Sequence, residues 1–292
     1  MNIKLDPGKY VVAVSGGVDS VVLLDMLRQL PDVKLIVAHF DHGIREDSTE
    51  DRRFVQQLAR KHNVPFTFAE GKLGPGASEE QARRARYEFL QHVRNAAGAH
   101  AIVMAHHQDD AIETAIINLL RGTGRRGLSS LRERDGLARP LLHATKRQLR
   151  AYALARKLEW REDSTNQDLT YLRNYVRHKL LPRFTIAQRK QLIELITTIA
   201  ETNRQLDSQL VNYLHVQPTK GVLNRKTFVH LPHAVALEVL ASWLRHQGIR
   251  NFDRKALERL VVAAKTAKPG TTADVLQGYH LKIGRDSLAL LS

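Results

Sequence analysis

Two polar clusters in this 292-residue chain have the residue types and spacing of reaction chemistry. The first is Ser15-Gly16-Gly17-Val18-Asp19-Ser20. Paired glycines let a backbone approach a ligand closely, and the free N–H groups of a following helix attract anions. Ser15 and Ser20 add hydroxyl donors. Asp19 suits a bare phosphate poorly unless a cation bridges them, so it is the first candidate Mg2+ ligand and Asp41 the second. Asp41, in Asp41-His42-Gly43, reads equally well as a turn residue. The second cluster is His106-His107-Gln108-Asp109-Asp110, with Glu113 three residues on. On a helix Asp110 and Glu113 share a face, His106 precedes them, and two carboxylates there could hold an ammonium group or take its proton. The same acidic first turn would also complement the helix dipole, and His106, His107 and Asp109 form a weak metal-binding pattern. No Walker A motif occurs in the chain, and the first loop lacks the Rossmann glycine pattern.

The elements that must position these clusters follow from apolar periodicity. Tyr10–Val14 is a short β-branched run ending at Ser15, and Val18–Leu30 places Val21, Leu24, Leu27 and Leu30 at helical spacing. Strands are expected at Lys34–Phe40, Pro65–Ala69, Ala101–Ala105 and Leu137–Leu142. Helices are expected from Ser48 to about His62, from a Ser78/Gln81 capping box to about Ala97, over Gln108–Arg121 and over Thr145–Leu158. Apolar strands alternating with helices predict a doubly wound parallel α/β sheet through residue 185, with ligands beyond the C-terminal strand ends. Ser15–Ser20, His39–Arg45 and His106–Glu113 all fall at such ends. After Pro182 the alternation stops. Helices at about 186–210, 233–247 and 253–267, then strand-like stretches at 273–282 and 286–291, predict a smaller, mainly helical domain over 186–292.

The charge is uneven. The chain carries 45 Lys and Arg against 30 Asp and Glu, a net +15, which predicts a polyanionic partner such as nucleic acid. Residues 1–120 hold 14 basic and 16 acidic side chains, whereas 121–156 hold 10 and 2, and 186–292 hold 15 and 8. A near-neutral reaction centre beside a basic surface is therefore expected. Cysteine is absent, which rules out disulfides, Cys-ligated zinc and iron–sulfur clusters in this chain. The N-terminus lacks the apolar region of a signal peptide and no run reaches the ~18 residues of a membrane span, so a cytoplasmic location is expected.

Ser15–Ser20, in its strand–loop–helix setting, resembles the pyrophosphate loop (PP-loop) of the N-type ATP pyrophosphatases. Members of that superfamily cleave ATP between the α and β phosphates and transfer AMP to a carbonyl oxygen. HFDHGIREDS at 39–48, AHHQDDAIET at 105–114, RGTGRRGLSSL at 121–131, ARPLL at 138–142 and EDSTNQDLTYLRNYVRHKLLP at 162–182 narrow the resemblance to the tRNA(Ile)-lysidine synthetase family. The match is close over residues 10–185. Longer members carry a further C-terminal tRNA-binding domain, for which this chain is expected to be too short.

The resemblance implies an adenine nucleotide alpha hydrolase-like fold and a ligase reaction with ATP and Mg2+. The wobble cytidine of a tRNA(Ile) with a CAU anticodon is adenylated on its C2 oxygen, and free L-lysine then displaces AMP to give lysidine. It implies ATP binding by Ser15, Gly16, Gly17, Val18, Asp19 and Ser20, and lysine binding by His106, Asp110 and Glu113. Asp41, Asp110 and Arg121 become the catalytic candidates, Arg121 because the leaving pyrophosphate needs a cation. Arg121, Arg125 and Arg126, in a glycine-rich segment read as a mobile loop, and Arg173 and Arg177, four apart on one helical face, become tRNA or phosphate ligands. Each of these arginines also reads as a solvated surface charge. A homodimer is the assembly often found in the family. The rivals are a tRNA thiolase, disfavoured by the missing cysteines, a small-molecule ligase, disfavoured by the basic segments, and a non-catalytic RNA-binding protein, for which neither polar cluster is needed.

Overall fold

The strand that carries the first cluster, β1 (Gly8–Ala13), buries Val11 and Val12 completely, because helices cover both faces of its sheet. This computed structural model describes residues 2–43, 48–71, 79–131, 136–162, 172–215, 221–249, 252–276 and 278–291. The Ser78 cap, residues 44–47 of the HFDHGIREDS string and residues 163–171 lie outside them. The chain divides into two compact units, Met1–Ala200 and Glu201–Ser292.

In the first unit β1 is joined by β2 (Val33–Asp41), β3 (Phe66–Glu70), β4 (Ala101–Val103) and β5 (Leu137–Ala138) in a parallel sheet ordered β3-β2-β1-β4-β5. The crossover helices are α1 (Val18–Leu27), α2 (Ser48–Lys61), α3 (Glu79–Ala96) and α4 (Gln108–Leu120); α5 (Arg125–Leu128) leads to β5, and α6 (Lys146–Ala155) follows it. The doubly wound expectation is met. Successive strands run outward from β1 to β3, and the chain then returns to β1's other side as β4. That reversal opens a crevice beyond the C-terminal ends of β1 and β4. The expected helix over 18–30 stops at Leu27, with Arg28 as its C-cap. Every residue of α1 except Asp19 is buried, as in a helix with no solvent face.

Asp25 sits in this core with 2% of its side chain exposed. It accepts hydrogen bonds from Arg28 Nε (2.9 Å), Gln29 Nε2 (3.1 Å) and Tyr152 Oη (2.8 Å). Burial alone would raise its pKa, but Arg28 and Tyr152 hold the carboxyl below its ordinary value. Its ionisation therefore contributes stability above the unfolded-state pKa, and that contribution disappears as pH falls through the lowered folded value. Asp25→Asn should lower unfolding free energy by about 2 kcal/mol near neutrality and by less in acid, measured by urea unfolding at two pH values.

After α7 (Leu172–Tyr175) a wide π-helical turn (Val176–Leu180) leads into the long α8 (Ile186–His215). The division between units falls within α8, beyond the boundary at 185. Leu192, Ile193 and Ile196 pack against Ile112, Ile117, Val176 and Leu181, which draws the start of α8 into the first unit.

The second unit packs α10 (His233–His246), α11 (Arg254–Thr266) and the end of α8 on an antiparallel sheet ordered β6-β9-β8-β7. The stretch at 273–282 is a hairpin of β7 (Thr272–Leu276) and β8 (Tyr279–Ile283), and not a single strand. It turns at Gly278, whose φ of +84° favours glycine. β9 (Ser287–Leu291) pairs with β8 and β6 (Val222–Asn224) with β9, both on one side of the hairpin, and α9 (Arg225–Val229) follows β6 directly. Elements as short as β6 and α9 carry no readable periodicity. Buried Arg225 donates to Ala264 O (2.8 Å), Ala267 O (2.6 Å) and Gly284 O (2.8 Å), tying the end of α11 to the sheet.

Candidate active site

The loop after β1 is built by its own side chains. Gly16 has φ of +96°, a conformation that strains any residue with a Cβ, whereas Gly17 is extended and caps α1. Ser20 Oγ donates to Gly17 O (2.8 Å) and accepts from Gly16 N–H (3.2 Å); Ser15 Oγ lies 3.3 Å from it. A Cβ at Gly17 would meet only Ser15 Oγ, at 3.6 Å, so the bare backbone there keeps the helix N-terminus open to an anion. Val18 is buried beneath the loop.

Asp19, on the first turn of α1, reaches residues from the other side of the crevice. Its Oδ2 accepts from Lys146 Nζ at 2.6 Å and lies 3.7 Å from His107 Nε2. Its Oδ1 is buried and has no hydrogen-bond partner among the described residues. A lone carboxylate oxygen of this kind suits a hard cation that arrives with a polyphosphate. No group of three His, Asp or Glu side chains able to hold a metal occurs among the described residues. The His106, His107 and Asp109 pattern therefore forms no such centre.

The second cluster opens α4. His107 caps the helix, and Asp110 Oδ2 accepts its N–H at 3.0 Å while lying 3.5 Å from its Nε2. His107 thus stands between Asp19 and Asp110. Burial would raise the Asp110 pKa, but His107, through its ring and its backbone N–H, and Arg177 outweigh it and hold the group ionised. Glu113, one turn on, is completely buried. Arg177 grips it with Nε to Oε1 (2.7 Å) and a terminal nitrogen to Oε2 (2.8 Å), and the same nitrogen reaches Asp110 Oδ1 at 3.3 Å. Arg173 lies 3.8 Å from Glu113, so the two arginines do share a face, but here they meet carboxylates. Burial pushes the Glu113 pKa up against the pull of Arg177, and Glu113 keeps Arg177 protonated. Asp109 accepts from Lys146 N–H (3.4 Å) and lies 3.8 Å from Arg189.

Asp41 Oδ1 accepts Gly43 N–H at 2.8 Å, which is the turn role. Arg121 is the exposed C-cap of α4. Arg125 and Arg126 lie on α5, and the segment expected to be a loop is a turn and short helix braced by Asn118 Nδ2 on Gly127 O (2.7 Å). Lys146 and Arg139 escaped the sequence reading as site residues, and His107 entered it only through the weak metal-binding pattern. Lys146 was findable in part, because Thr145 and Gln148 form a capping box that sets it at the first position of α6.

No helix among the described residues is long and apolar enough to cross a membrane. A tRNA(Ile)-lysidine synthase from Solibacter usitatus is 38% identical over 199 residues, covering 67% of this chain and 45% of its own length. The enzyme of that name from Thermus thermophilus is 37% identical over 274 residues, covering 89% and 53%, and that from Thermosipho africanus 32% over 277 residues, covering 89% and 63%. The chain thus spans about half the length of these curated relatives. Among solved structures, the U34-tRNA thiolase NcsA of Methanococcus maripaludis superposes with a TM-score of 0.56 at 15% identity, over 68% of this chain and 74% of its own, a likeness of fold. A family model described as the PP-loop domain matches residues 2–184, the span that holds both polar clusters, and the chain belongs to that family.

Proposed function

We propose that this protein is an ATP-dependent carbon–nitrogen ligase that joins free L-lysine to C2 of the wobble cytidine in a tRNA(Ile) with a CAU anticodon. The observation that carries the reading is His107 between Asp19 and Asp110, at 3.7 and 3.5 Å. A nucleotide on the Ser15–Ser20 loop and an ammonium group on Asp110 would be neighbours, as adenylation followed by amine attack requires. ATP supplies the activation, turning the C2 oxygen into a leaving group as AMP and releasing pyrophosphate.

The chain's own residues divide the work. Gly16, Gly17, Val18, Ser15 and Ser20 present the loop and helix N–H groups to the phosphates. Asp19 offers its free oxygen to Mg2+, Lys146 beside it is the cation for the departing pyrophosphate, and Arg121, at the other end of α4, belongs with the tRNA phosphate ligands. Asp110, held ionised, attracts the lysine ammonium and takes its proton; Glu113 backs it through Arg177. His106 completes the lysine pocket, and Asp41 keeps the neighbouring turn. Arg125, Arg126, Arg173 and the basic second unit supply tRNA phosphate contacts. A homodimer and a cytoplasmic location, where the tRNA resides, belong to the same reading.

Incorporation of labelled lysine into unmodified tRNA(Ile) with a CAU anticodon, with ATP and Mg2+, tests it against tRNA(Met). ATP-dependent labelling of the first RNA alone is expected. No labelling by folded protein that binds ATP would overturn the reading.

A further inference from the structure

We propose that Arg139 is a positioning residue that fixes His106 as a neutral ring with its proton on Nε2, making His106 a hydrogen-bond donor in the lysine pocket and not a base. The inference deepens the proposed function by assigning the role of one residue of that site. Arg139 follows β5, where Met104 N–H on Ala138 O (3.0 Å) pins the strand to β4, and it is 1% exposed. Its Nε lies 3.0 Å from His106 Nδ1. A guanidinium N–H can only donate, so Nδ1 must be the acceptor, and the ring's one proton sits on Nε2. A second proton would have to go on Nδ1, directly against the guanidinium.

The surroundings act in the same direction. Burial disfavours the imidazolium most; Asp110 of α4 favours it, while Arg139 and then Arg86 and Arg83 of α3 oppose it. The balance pushes the His106 pKa down to about 3. The proton of the attacking amine is then left to Asp110, because the ring has no free lone pair to receive it.

Nitrogen NMR of the full chain labelled at histidine, with His106→Gln for assignment, reads the tautomer directly and needs no turnover. An unprotonated Nδ1 and a protonated Nε2 are expected, unchanged from about pH 5 to 8. A His106 ring that carries its proton on Nδ1, or titrates in that range, overturns the proposal whether or not lysidine is formed. The second arm is the pH profile of lysine incorporation. In Arg139→Ala the bond that pins the tautomer and one of the opposing charges are gone, so the pKa of the ring should rise from its depressed value and lysine incorporation should fall more at pH 5.5 than at pH 8, an acid limb the unaltered protein lacks. Arg139→Lys, which keeps a donor, should restore the flat profile. A loss in Arg139→Ala that is equal at every pH would show only a structural role and would overturn the proposal. If Arg139→Ala does not fold, the tautomer of the unaltered protein decides.

Discussion

Arg177→Ala should cost the first unit about 3 kcal/mol of stability, the largest effect expected of any single substitution outside the apolar core. Glu113 has no exposed surface, and two oxygens of its carboxylate depend on Arg177 at 2.7 and 2.8 Å. Removing the guanidinium leaves a buried charge with, among the described residues, only Arg173, at 3.8 Å, to offset it. The pH dependence has a definite sign. Burial raises the folded pKa of Glu113, so its protonation favours folding, and that contribution, present in acid, is lost as pH rises through the folded value. With Arg177 gone the folded pKa rises further, so the cost should shrink between pH 7 and pH 5. Urea unfolding of Arg177→Ala at both values checks this. The double variant Arg177→Met with Glu113→Met should lose less than the two single changes summed, because neither charge is stranded. A cost below about 0.5 kcal/mol for Arg177→Ala would mean that solvent reaches Glu113.

Asp19→Asn should act in the opposite way, abolishing turnover while leaving the fold intact. Asp19 keeps 25% of its side chain exposed and its partner Lys146 keeps 39%, so their ion pair is worth under about 1 kcal/mol to stability. Its free Oδ1 beside the Ser15–Ser20 loop is what a polyphosphate-borne Mg2+ would take. An amide replaces that anionic ligand with a weaker neutral one. AMP formation in the presence of Mg2+ and both substrates should fall by about 100- to 1000-fold, with the unfolding midpoint nearly unchanged. Activity within tenfold of the unaltered protein would remove Asp19 from the nucleotide site and pass the cation to another carboxylate.

The contrast between Asp19 and Glu113 separates what each level of structure specifies. Local pattern was enough for the PP-loop, because a buried β-branched strand, a glycine needing φ of +96° and an apolar helix are all properties of neighbouring residues. It was also enough for the face shared by Asp110 and Glu113 and for the order of the crossover units. It did not extend to the hairpin within 273–282, since apolar and polar residues alternate on both sides of a turn that depends on Gly278.

Partner choice lay beyond it altogether. Asp19 meets Lys146 127 positions away, Glu113 meets Arg177 64 positions away and His106 meets Arg139 33 positions away. In the sequence Arg177 stood out only as a phosphate or tRNA ligand, Lys146 and Arg139 were not singled out, and none of the three could be matched to its partner. The strand order β3-β2-β1-β4-β5 decided their roles: its reversal at β1 and β4 brings the first turns of α1, α4 and α6 to one crevice. There burial makes each unpaired charge expensive, so the fold selects a partner for every carboxylate it encloses.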